Sequence, residues 1–105
     1  MTEARIVLTT AGSQDEARKI AHALVERKLA ACVNNIPQIE SIYRWQGKVE
    51  NATEWLLVIK TKSSAFAQVR DAIRELHSYE LPECLLLEIP DGSTDYLSWI
   101  ANNVS

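Results

Sequence analysis

The sequence predicts an α+β domain of the ferredoxin-like, split βαβ kind, with an antiparallel sheet, helices on one face and the order β-α-β-β-α-β plus a terminal helix. Three observations carry this. Two stretches have apolar residues at helical spacing: Ala17, Ile20, Ala21, Leu24 and Val25, then Phe66, Val69, Ala72, Ile73 and Leu76. Between them, from Ala31 to Lys62, runs a long tract rich in Ile, Val, Thr, Tyr and Trp, interrupted only near Gln46-Gly47. Within its first arm sits Pro37, which lacks a ladder donor and marks an edge strand or a bulge.

In chain order, Ile6–Thr10 is apolar on both faces and suits a central strand. Ala11-Gly12 breaks it. Ser13 followed by Glu16 has the capping-box spacing for a helix start. That helix should end near Lys28-Leu29, with Arg27 and Lys28 in its last turn. The hairpin follows. Its alternation slips between Ile39 and Ile42, a sign of a bulge or twist around Pro37–Ser41, whereas Trp55–Ile59 reads as an interior strand. Ser63 or Ser64 is placed to cap the second helix. His77–Glu83 is a loop, because Pro82 rules out helix continuation. Cys84–Ile89 is the fourth strand, ended by Pro90-Asp91-Gly92. Ser93 or Thr94 opens a short helix through Ile100, and Ala101–Ser105 is expected to be loose.

The chain has 105 residues, 47% of them hydrophobic and 24% charged, which fits one globular domain with a modest core. Each hairpin arm is about 14 residues, or roughly 45 Å at ~3.3 Å per residue. A domain of this length has a radius of gyration of only about 13 Å. The hairpin must therefore bend or overhang. An edge arm carrying Ile36, Ile39, Ile42 and Tyr43 is an aggregation hazard unless paired, and a closed homo-oligomer built through the hairpin would pair it. A net charge of −3 with scattered Lys and Arg argues against nucleic acid as the main partner. No apolar run is long enough to span a membrane, and no secretory signal precedes the first strand. A cytoplasmic protein with Cys32 and Cys84 as free thiols is expected.

Two groups of residues offer chemistry. His77, Glu80 and Glu83 recur at three-residue intervals, and imidazole and carboxylate oxygen both bind divalent transition metals. Cys84 follows directly and offers a thiolate to a softer ion. The same residues also read as a loop with solvated carboxylates and a helix-terminal His bonded to last-turn carbonyls. Trp45, Lys60, Tyr79 and Glu80 form the second group. A Trp at a hairpin tip has no partner in so small a domain, so these four are expected to line an intersubunit pocket with aromatic walls and one ion pair, taking a carboxylate or peptide end. Plain interface packing explains them equally well. Cys32 and Cys84 read as small buried hydrophobes at strand starts, and His22 as a surface residue. Nucleophile elbows, a placeable triad and Gly-rich phosphate loops are lacking, so no enzyme class is assigned.

Ala30-Ala31-Cys32-Val33-Asn34, Ser41–Glu50 with Tyr43-Arg44-Trp45-Gln46-Gly47, Ile59-Lys60-Thr61, His77–Glu83 and Tyr96–Ile100 together resemble the CutA family of divalent-cation tolerance proteins, over nearly the whole chain. The resemblance implies a ferredoxin-like homotrimer with hairpins pairing between subunits, a role in metal tolerance without an established enzymatic activity, and no required cofactor. It implies Cu²⁺ or another divalent ion as ligand, with Cys32 and His77 at positions linked to metal. It also sets Trp45, Lys60, Tyr79 and Glu80 around an intersubunit cleft. A small-molecule- or protein-binding signalling trimer that uses the cleft is the alternative. Asn35 departs from the family pattern, where an aliphatic residue is more usual, and so does Glu83-Cys84. The family is structurally similar to PII signalling trimers, but the tight Arg44–Lys48 turn here gives no warrant for nucleotide binding.

Overall fold

The computed structural model describes residues 2–105. The elements are β1 (Ala4–Ala11), α1 (Gln14–Glu26), β2 (Cys32–Trp45), β3 (Lys48–Lys62), α2 (Phe66–Leu76), β4 (Leu85–Glu88) and α3 (Thr94–Asn102), with a 3₁₀ turn at Ser63–Ala65. The strands form one antiparallel sheet in the order β2-β3-β1-β4. The chain is thus α+β, with β1 interior and β2 at an edge, as its apolar pattern and Pro37 required.

One face of the sheet carries Val7, Ala11, Leu57 and Ile59. These pack against Ala17, Ile20 and Leu24 of α1 and Val69, Ala72 and Ile73 of α2 in a single buried cluster. Helices α1 and α2 therefore cover the same face. On the other face, α3 covers only one end, where Ile100 and Val104 pack on Ala4 and Ala65. The rest of that face has no helix over it. Its cross-strand rows are Leu87–Ile6, Leu85–Leu8–Val58 and Leu56–Ile36. Leu85 is 55% exposed and Leu87 44%, while Ile6, Leu8, Leu56 and Val58 are half-buried.

The hairpin overhangs. β1 pairs with β3 only from Trp55 to Lys62, so Lys48–Glu54 has β2 alone beside it. The molecule measures 44 × 25 × 22 Å, with a radius of gyration of 14.2 Å. Gln46 (φ 50°) and Gly47 (φ 81°) make the two-residue turn, whose positive φ values match the strand twist. The irregularity lies between Ile36 and Ile39, a step before the slip expected at Ile39–Ile42. Pro37 and Gln38 together oppose Trp55, and Gln38 takes φ 55°. Pairing is regular again from Ile39, so Ser41, Tyr43 and Trp45 fall on the helix-free face with Glu54, and Ile42 on the other.

Several local expectations are corrected. α1 ends at Glu26, with Arg27 as its cap, so neither Arg27 nor Lys28 lies in the last turn. Lys28 sits at φ 59°, and Lys28 and Leu29 close the end by bonding back to Val25 and Leu24. Neither Ser63 nor Ser64 caps α2; the Ser63 hydroxyl donates to Glu3 instead. β4 begins at Leu85, one residue after Cys84. The tail is docked rather than loose: α3 runs to Asn102, Val104 is buried, and the Ser105 amide bonds to the Lys28 carbonyl at 2.9 Å. Asn35 faces Leu57 across the ladder, and its Oδ1 is buried with no hydrogen-bond partner among the described residues.

Ile59 is fully buried at the centre of the core. Ile59→Ala is expected to lower the unfolding free energy by about 2–5 kcal/mol in a urea titration at fixed protein concentration. A loss under about 1 kcal/mol would place it outside the cooperative core.

Candidate functional site

The overhanging hairpin and the loop after α2 enclose a cleft of about 630 Å³. Ser41–Trp45 of β2 form one wall, the loop residues Tyr79, Glu80, Leu81 and Glu83 form the other, and Thr10 and Glu54 lie at its floor. This volume falls in the range of small-molecule pockets.

The loop wall is held by a network that starts at the helix cap. Ser13 accepts from the Glu16 amide at 3.1 Å, as a capping Ser should. The Glu16 carboxylate does not return to Ser13. It turns to the loop and accepts from the Ser78 amide at 2.6 Å and the Ser78 hydroxyl at 2.8 Å. His77 caps the end of α2 with its backbone, and its imidazole is sealed from solvent. Nε2 bonds the Thr10 carbonyl, which only an N–H can do, so the bonding pattern assigns the hydrogen to Nε2. Nδ1 accepts from the Tyr79 amide at 3.1 Å, with Glu16 at 3.3 Å. His77 thus joins β1, α1 and the loop; its backbone N–H bonds the Ile73 carbonyl of its own helix, while its imidazole bonds Thr10 instead of those last-turn carbonyls.

Tyr79 stacks against His77 with ring centroids 4.6 Å apart, then crosses Gly12. A Cβ on Gly12 would lie 2.9 Å from the Tyr79 hydroxyl oxygen, so the glycine lets the ring pass. The hydroxyl donates to Glu54 Oε2 at 2.8 Å. Burial first, then the bonded Glu54 carboxylate, holds the Tyr79 hydroxyl well above the ordinary tyrosine range. Burial also pushes the Glu83 carboxyl up, and the nearby Glu54 adds to it. Cys84 packs against the core, and burial raises its thiol although Arg70 and Arg74 oppose the shift. A thiol so placed is a poor nucleophile.

The expected groups are therefore divided. Trp45, Tyr79 and Glu80 line one cleft within a single chain. Lys60 is not on it. Its Nζ lies 3.3 Å from the Tyr96 hydroxyl and 5.5 Å from that ring's centroid, and it opposes Cys32 across the ladder. Trp45, expected to reach only a neighbour, already walls the cleft of its own chain and is 40% exposed. Among the described residues, no three His, Cys, Asp or Glu side chains converge on a point where a metal ion could sit. Both His77 ring nitrogens are engaged, Glu80 and Glu83 lie on the cleft wall, and Cys32 is on another strand beside Lys60. The donor set does not fit a metal within one chain. Cys32 and Cys84 are free thiols, and His22 is exposed, 3.9 Å from Glu26. Sequence reasoning missed Glu54, Gly12 and Thr10. The one signal for Glu54 was a carboxylate abutting an interior apolar run.

The model of the family described as CutA1 divalent ion tolerance protein matches residues 5–103. The chain is 47% identical over 98 residues to the divalent-cation tolerance protein CutA of Thermus thermophilus, covering 93% of this chain and 95% of that one. The solved Thermus structure superposes with a TM-score of 0.95 at 45% identity, over 97% of this chain and 99% of that one. The Arabidopsis thaliana protein CutA, chloroplastic, is 41% identical over 93% of this chain, which spans only 54% of that relative. The solved periplasmic divalent cation tolerance protein CutA of Archaeoglobus fulgidus gives a TM-score of 0.94 at 43% identity, over 97% of this chain and 99% of that one.

Glu83 supplies a pH test. Its carboxyl titrates higher folded than unfolded, so the folded chain favours the protonated form. That contribution is fully present below the unfolded value of about 4.3 and is lost as pH rises through the folded one. Glu83→Gln is therefore expected to melt above wild type at pH 7 and with it near pH 3.5. A wild type more stable than the variant at pH 7 would overturn this assignment.

Proposed function

This chain belongs to the CutA1 divalent ion tolerance family, and on that premise we propose that it acts in divalent-cation tolerance as a non-enzymatic homotrimer of the ferredoxin-like type. The observation that carries the assembly is the helix-free apolar sheet face, with Leu85 and Leu87 open to water. Burying it and the overhanging hairpin together removes the aggregation hazard of a long edge. The sheet's two free edges, β2 and β4, are unlike, which suits head-to-tail contacts that close into a ring. Three copies is the number that the family resemblance implies. The split βαβ description is supported by the strand order β2-β3-β1-β4.

In this reading Cu²⁺ or a similar divalent ion is cargo, weakly held by donors from more than one chain. Glu80 and Glu83 on the cleft and Cys32 on the helix-free face are the candidates, and His77 joins them only by releasing Thr10. Cytoplasmic residence stays part of the proposal; the names of two relatives place them in chloroplast and periplasm. A second reading is favoured by the 630 Å³ cleft itself: a small-molecule site, walled by Trp45 and Tyr79, that couples binding to signalling.

Light scattering on the purified protein should give about three times the 11.8 kDa chain mass. Leu87→Asp, a charge on the helix-free face, should give monomer or aggregate; an unchanged trimer would remove that face from the interface. Calorimetry with Cu²⁺ separates the roles of His77. His77→Ala should lower the melting temperature while leaving the Cu²⁺ stoichiometry as in wild type. Binding abolished in a folded His77→Ala trimer would return His77 to the ligand set.

A further inference from the structure

Among the described residues of one chain, the cleft contains a carboxylate with no cation beside it. Glu54 is 8% exposed, and its hydrogen bond is the one from the Tyr79 hydroxyl, to Oε2. Among the described residues, no Lys, Arg or His lies within ion-pair distance of it. A carboxylate this far out of water is costly unless a cation meets it. Tyr79 cannot be that cation. It is a neutral donor whose ring is fixed by His77 and by passage over Gly12.

The surroundings sharpen the requirement. Glu80 and Glu83 add two further carboxyl groups to the lining, against the single basic residue Arg44. Arg44 lies in the overhang opposite Val49 and makes no ion pair among the described residues. The remaining wall is aromatic, with Tyr43 and Trp45 partly exposed across from Tyr79. Ring faces attract cations, and organic cations gain most because their carbon surface is also buried. A bare metal ion has no use for such walls, and among the described residues three donors do not converge for it. An anionic ligand would meet this lining with like charge, and Lys60, the residue expected to hold a carboxylate end, is bonded to Tyr96 elsewhere.

We propose that this cleft binds an organic cation, with an alkylammonium or guanidinium head against Glu54 and its carbon body on Trp45 and Tyr43. The proposal rests on the reading of the cleft as a small-molecule site and names its ligand class. Burial of Glu83 beside Glu54 agrees with it, since an incoming cation would relieve the Glu83 carboxyl.

Three probes with one skeleton and different charge test it on the purified, isotope-labelled full chain: butylammonium, butan-1-ol and butyrate. Butylammonium should shift the Trp45 indole and the amides around Glu54 saturably, with the alcohol and the acid at least tenfold weaker. Glu54→Gln, checked for wild-type mass and melting, should weaken butylammonium at least tenfold and leave the alcohol unchanged. Equal or tighter binding of butan-1-ol or butyrate overturns the cation assignment and leaves a ligand cleft standing. Mg²⁺ displacing butylammonium at equal concentration, with the same dependence on Glu54, overturns it in favour of a metal site. No saturable shift with any of the three probes sinks the small-molecule reading as well. The wild-type comparison decides the question even if Glu54→Gln does not fold.

Discussion

The structure depends on a mismatch between two neighbours of one strand. β3 is fifteen residues long, β2 beside it is fourteen, and β1 on its other side is only eight. Where β1 stops, the sheet loses half its hydrogen-bonding and its helical cover together. The ladder nevertheless continues, because cross-strand pairs such as Tyr43 with Glu50 and Trp45 with Lys48 need only each other. What lies beyond is a two-stranded ribbon, and ribbons of that kind are marginal in water without a surface to lean on. The cleft is the space left under this ribbon, and the helix-free face is the side toward which its aromatic residues turn.

The same end of the sheet shows how one polar network does two jobs. Glu16 belongs to the start of α1, yet its side chain anchors the loop after α2 through Ser78. His77 ties that loop to the C-terminal end of β1 through Thr10, and Tyr79 carries the connection on to Glu54 in β3. The Ser78 links lie at the surface, whereas the His77 and Tyr79 links are partly buried, where an unmade bond costs more than a made one contributes. This makes the loop wall rigid while the hairpin wall stays open. Within the chain it makes His77 a brace, with both ring nitrogens bonded.

Much of this was legible in the residues. The element order, the interior position of β1, the edge position of β2 and the existence of an overhang followed from periodicity, Pro37 and the length of the Ala31–Lys62 tract. The site was only partly legible. Tyr79, Glu80 and Trp45, grouped because an aromatic at a hairpin tip needs a partner, line one cleft within the chain. Lys60 was grouped with them because a charge at the end of a buried strand looks like a site residue; within the chain it meets Tyr96 of the C-terminal helix instead. His77 looked like a metal donor because spacing along a loop says nothing about which way a ring points. Glu54 was passed over because one carboxylate in a hairpin is ordinarily solvated, and only the loop lying across it takes the water away. The tail Ala101–Ser105 looked loose because its one anchor, Val104, is too short a signal for periodicity to register.

The pairing of β1 with both β3 and β4 has a consequence in time. A nascent chain holds Ile6 and Leu8 well before their ladder partners in β4 are made. The sheet therefore closes late, after α1, the long hairpin and α2 have already been synthesised, and its contacts are distant along the chain, which slows folding. Until then, the face that ends without helical cover is also without its final strand. The longest-lived unprotected surface of the newborn chain is thus the one that the proposed assembly would bury, and in that assembly folding and association would compete for the same leucines.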